Sequence, residues 1–142
     1  MLAAGAAGPA SAQACPHPGT VNGQSVLIYC GPAKAKVTIG ATAFTLKNGL
    51  CKKAAGNFYV SFGAVVTQQT KHPPDSFLVI ATATKDGSYP GTTILMTRSG
   101  KSYISDAVTL KLSHGTKAGT LSGSMESTTT NAKPAIHASF TC

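Results

Sequence analysis

Apolar residues recur at every second position through most of this chain. That is the period of a strand with one buried face, and no window of about 12 residues carries a helical stripe. Residues 26–29 read as a short buried strand. Residues 36–39 place Val37 and Ile39 on one face, 40–42 turn the chain, and 43–47 return with Phe44 and Leu46 inward. The two segments predict a hairpin. Residues 47–50 read as a turn that delivers Cys51. Residues 57–62 alternate again, with Phe58, Val60 and Phe62 on one side. The stretch from Lys71 to Asp75 holds Pro73 and Pro74, which remove two ladder donors, so it reads as a loop. Residues 77–81 are apolar throughout and predict the most buried strand. Residues 85–88 carry an Asp-Gly turn signature, with 92–96 as the return strand. A three-strand meander follows: 103–112, 118–125 with Gly119, Leu121, Gly123 and Met125 sharing a face, and 135–142. In the last of these Ile136, Ala138, Phe140 and Cys142 share a parity. The pattern predicts an all-β fold, an antiparallel β-sandwich or half-open barrel.

Four cysteines, Cys15, Cys30, Cys51 and Cys142, add covalent constraints. An even count in an exported chain reads as a disulfide framework, here two bridges. Cys142 points inward with Phe140 and Cys51 follows the inward-facing hairpin. Parity therefore favours pairing those two, leaving Cys15 with Cys30, while the other two connectivities stay formally open. Ala12-Gln13-Ala14 is the small-x-small pattern read by signal peptidase, without a basic segment before it. Residues 1–14 are accordingly expected to be the remnant of a signal peptide, or a disordered leader, and 15–142 a single stapled domain. No run reaches the roughly 18–20 apolar residues of a membrane-spanning helix. The expected setting is secreted or associated with the cell envelope.

Charge sharpens the choice of partner. Only 11% of residues are charged, yet twelve Lys and Arg against four Asp and Glu give a net +8. The cations are spread from Lys34 to Lys133, aromatic residues are 6%, and no RNA-recognition or zinc-finger pattern accompanies them. Nucleic acid is therefore not an expected partner. The field favours acidic glycans, anionic lipid headgroups or an acidic wall.

From Lys36 onward the order of features resembles the mycobacterial LpqH-type lipoprotein antigens. The resemblance is carried by Lys36-Val37-Thr38-Ile39-Gly40, Leu50-Cys51, Ala54-Ala55-Gly56-Asn57 and a Pro-containing loop before a buried strand. The Tyr103 strand, Lys117-Ala118-Gly119 and the final Ala138-Ser139-Phe140-Thr141-Cys142 complete it. It covers roughly residues 35–142. It implies an envelope-exposed β-domain, a disulfide between Cys51 and Cys142, and a surface antigen without enzymatic activity. Two features depart from the family. Ala12-Gln13-Ala14-Cys15 lacks a lipobox, and no long Thr/Ser tether precedes the domain. Cys15 also has a candidate partner in Cys30, which argues against its lipidation.

Catalytic constellations are not legible. His17, His72, His114 and His137 are isolated, with no His-x-x-x-His or Cys-x-x-Cys spacing for a metal. Asp75, Asp86, Asp106 and Glu126 form no recognisable acid–base pair, and Gly-x-Ser-x-Gly is absent. Asp106 has the parity of inward residues and calls for a partner such as Arg98 or Lys101. Tyr29 and Tyr59 could offer stacking surfaces, and residues 127–130 could accept O-linked sugar in an exported chain. The reading is a non-enzymatic, antigen-like surface protein without a cofactor, contacting wall or surface components. Two alternatives compete: a module holding an apolar or anionic molecule between its sheets, and a surface subunit assembling by strand addition. The sequence leaves the oligomeric state open.

Overall fold

The computed structural model describes residues 14–67 and 72–142. The expected leader, apart from Ala14, and Lys71 of the proline loop lie outside the described residues. The strands are β1 (His17–Val21), β2 (Gln24–Ile28), β3 (Ala33–Ile39), β4 (Thr42–Ala54), β5 (Asn57–Val66) and β6 (Ser76–Thr82). They continue as β7 (Gly87–Pro90), β8 (Thr93–Arg98), β9 (Lys101–Ser113), β10 (Ala118–Ser127) and β11 (Ala135–Thr141). Eight of them close on themselves in the order β5-β4-β3-β11-β10-β9-β8-β6, with β6 pairing back onto β5. The expected antiparallel all-β fold is thus a barrel. The β1–β2 hairpin continues the sheet from the far end of β5, and β7 lies along β9.

Alternation fills the barrel. Phe58, Val60 and Phe62 from β5, Ile94 and Met96 from β8, Leu110 from β9, Leu121 and Met125 from β10, and Ile136 and Phe140 from β11 are all buried. Phe58 stacks on Phe140 with ring centroids 6.0 Å apart, and Phe62 lies 6.5 Å from Phe77. The Phe140 ring occupies the space beside Gly119, where a Cβ would come 2.4 Å from Cζ. An eight-stranded barrel is just wide enough for its own side chains.

Several elements differ from the expectation. Residues 47–50 are no turn: β4 runs straight through, and Lys47 and Asn48 together oppose the single Lys34 in a β-bulge. Asn48 takes the left-handed conformation there, φ 62°. The bulge switches β4's parity, so Leu46, Gly49 and Cys51 all face inward. Residues 77–81 bury only alternate side chains, because β6 lies in the barrel wall with one face inward and the other outward; Leu78 and Ile80 are half-exposed. The same outer row leaves Leu95 and Ile104, which are directly paired, 40% and 41% exposed. Beyond the Asp-Gly turn, residues 87–90 pair with β9 as β7 before β8 returns along β6.

The two bridges are Cys15–Cys30 and Cys51–Cys142, with Cα atoms 5.6 and 5.8 Å apart. Gly49 pairs with Ala33, and Thr141 pairs with Lys34. Cys51 and Cys142 therefore meet across the start of β3, over the fully buried Ala33. The Cys142 N–H donates to the Lys117 carbonyl at 2.7 Å.

The wall is parted at one seam. β4 pairs with β5 only from Leu50 to Ala54, and farther along β5 takes β2 as its neighbour. The Arg98 guanidinium spans this seam, 4.0 Å above the Phe44 ring and 3.6 Å from the Asp75 carboxylate.

Candidate anion-binding surface

The registers of five consecutive pairings define what the outside of the barrel presents. Across β4, β3, β11, β10, β9 and β7, one row reads Thr45, Lys36, Ser139, Thr120, Lys111, Ser88, all exposed. The next row begins with Lys47 and continues through Lys34 and Thr141. On the other flank lie Thr38, His137, Ser122 and Thr109. Lysines thus stand in a field of hydroxyls, and no carboxylate occupies any of these rows.

The bulge concentrates the charge. By setting Lys47 and Asn48 against Lys34, it brings two ammonium groups to facing positions, with Lys36 two residues along the same face. Their stems wall a surface depression of about 560 Å³ shared with Thr45, Ser139 and Thr141. Directly opposed like charges destabilise a strand pair by roughly 0.2–1 kcal/mol. Strands lie about 4.8 Å apart, so Lys36 and Lys111, three strands distant, are separated by about 14 Å. The two hydroxyls between them, Ser139 and Thr120, can both donate and accept.

Three of the four acidic side chains are engaged elsewhere, and Glu126 lies at the far end of β10, paired with Ile104. Asp75 pairs with Arg98 and accepts from the Ser99 N–H at 2.9 Å. Asp86 accepts from the Gly115 and Thr116 N–H groups at 3.0 and 2.7 Å, fastening the β6–β8 connection to the β9–β10 turn. Asp106 is the extra residue of a second bulge opposite Ser124 and Met125. It is exposed there, contrary to its inward parity. Its partners are Lys133 at 3.7 Å and the Ser124 hydroxyl at 3.2 Å, in place of the Arg98 or Lys101 expected from proximity in sequence. Lys34, Lys36, Lys47 and Lys111 form no ion pair with a described residue.

The remaining candidates are dispersed. His17 begins β1, His114 sits in the β9–β10 turn beside the Ser113 hydroxyl, and His137 is exposed on β11. The His72 carbonyl accepts from Gln24. Among the described residues no group of three His, Cys, Asp or Glu side chains converges as a metal site. The Tyr59 hydroxyl accepts from the Asn57 side-chain amide, and the Tyr29 N–H donates to the Gly63 carbonyl farther along β5. Sequence reasoning missed the lysine face because its members come from β3, β4 and β9. The one local signal was the alternation of Lys34 and Lys36 at outward positions. No family model, curated protein or solved structure matches this chain.

Proposed function

We propose that this protein is a non-enzymatic, exported surface module that binds an anionic glycan polymer of the cell envelope through the outer face of β4, β3 and β11. The observation that carries this reading is the row of lysines interleaved with hydroxyls and free of carboxylates, with Lys47 and Lys34 opposed across the bulge. A field of one sign draws a polyanion to the surface, and the hydroxyls exchange hydrogen bonds with sugar. The wide spacing of Lys36 and Lys111 suits a chain whose charges are separated by neutral, hydroxyl-bearing units.

Two disulfides suit an oxidising, extracellular location. No described helix is long and apolar enough to cross a membrane. The resemblance to LpqH-type antigens agrees with an envelope setting and with the Cys51–Cys142 bridge. Co-sedimentation with purified cell walls tests the proposal. The protein is expected to pellet with intact walls and to stay in the supernatant once the acidic polymers have been stripped. Equal pelleting with both would overturn it.

A further inference from the structure

We propose a second site, at the open end of the barrel opposite the Cys51–Cys142 bridge, for a small amphiphile made of an anionic group and a short apolar body. This end is framed by the β3–β4 turn, the β8–β9 turn and the close of the β10–β11 loop. Between them lies a cavity of about 660 Å³. Small-molecule sites typically measure about 300–1,000 Å³.

The floor of this cavity is apolar. Met96 and Ile39, both buried, lie at its base, and Pro134 closes one side. Tyr103 pairs with Met96 and packs against the core, and its hydroxyl has no hydrogen-bond partner among the described residues. The rim is cationic. Lys101 makes no ion pair with a described residue, and the Lys133 ammonium has only the exposed Asp106 contact at 3.7 Å. Lys101 is therefore available to an anion, and Lys133 becomes so by exchanging its exposed Asp106 contact for the ligand. Arg98 is committed to Phe44 and Asp75 and serves as a fixed wall.

Cations above an apolar floor select against two simpler ligands. A bare anion would leave the half-exposed Tyr103 ring and Pro134 wet. A neutral apolar molecule would be held beneath unneutralised ammonium groups. A phosphate or carboxylate bearing a short alkyl or ring body satisfies both parts. This site shares no residue with the lysine face, so the two proposals stand or fall separately.

Titration of the disulfide-intact protein with octyl phosphate, inorganic phosphate and octyl glucoside, followed by calorimetry and NMR, tests it. Octyl phosphate is expected to bind saturably at one site, at least about tenfold tighter than either control, since each half adds on the order of 1.4 kcal/mol. The Met96 methyl and Tyr103 ring signals should shift. The Lys101→Ala/Lys133→Ala variant, altered only at exposed positions, should lose about tenfold in affinity, while Lys34→Ala/Lys36→Ala should retain it. Equal binding of inorganic phosphate, an unchanged affinity in the Lys101/Lys133 variant, or loss in the Lys34/Lys36 variant would each overturn the site.

Discussion

Cys51 and Cys142 lie 91 residues apart in sequence, yet their Cα atoms are 5.8 Å apart across the buried start of β3. The bridge joins β4 to the end of β11 across β3, which lies between them in the sheet. In the loop-entropy account it contributes somewhat over about 4 kcal/mol, and the Cys15–Cys30 bridge about 3 kcal/mol. The Cys51→Ser/Cys142→Ser variant is expected to lose stability of that order in denaturant titration. Hydrogen exchange should show β11 amides losing protection ahead of β6 amides. Equal protection in the two strands would show that the bridge does not hold β11.

Gly49 faces the Phe62 ring so closely that a Cβ would sit 2.3 Å from Cε1. Gly49→Ala is expected to cost about 1–3 kcal/mol through overpacking. Adding Phe62→Leu should recover part of that loss, a coupling that only residues in contact display. Strictly additive losses in thermal unfolding would contradict the packing.

Asp86 accepts two backbone hydrogen bonds from the β9–β10 turn, where His114, Gly115 and Thr116 all have positive φ. Hydrogen bonds to charged groups contribute roughly 1.5–3 kcal/mol each, less for an exposed acceptor such as this one. Asp86→Ala should therefore destabilise the protein by about 1–2 kcal/mol. It should also speed exchange of the Gly115 and Thr116 amides. Unchanged exchange at both positions would remove Asp86 from this role.

The period-2 pattern was enough to find the strands of the barrel, because every inward face must be apolar. Parity also brought Cys142 toward Cys51. Two elements escaped it. β1 holds Pro18 and no aliphatic alternation, and β7 consists of Gly87-Ser88-Tyr89-Pro90, held beside β9 by register and by the Asp86 fastening. The segment around the Lys47–Asn48 bulge read as a turn because bulges and turns favour the same residues. The lysine face was illegible for a topological reason: β3 and β11 are distant in sequence and become neighbours only on closure.

The lysine face carries a consequence for stability independent of any ligand. Removing one of two facing ammonium groups relieves repulsion, so Lys34→Gln should raise stability by about 0.2–1 kcal/mol. The gain should fade in 1 M salt, where the Debye length falls to about 3 Å. Lys85→Gln, on an exposed turn, should change little under either condition. Loss of stability in Lys34→Gln at low salt would mean that the two lysines do not oppose each other.

Binding of fluorescein-labelled hyaluronan, in which charged sugars alternate with neutral ones, followed by anisotropy across a salt series, tests the central claim most directly. The Lys34→Gln/Lys36→Gln/Lys47→Gln variant is expected to bind at least about tenfold more weakly and with a shallower salt dependence. A control with the same net charge, Lys52→Gln/Lys53→Gln/Lys85→Gln, should keep most of the affinity. Equal weakening in the two variants would contradict the account, because binding would then follow the total charge and not the face built by β4, β3 and β11.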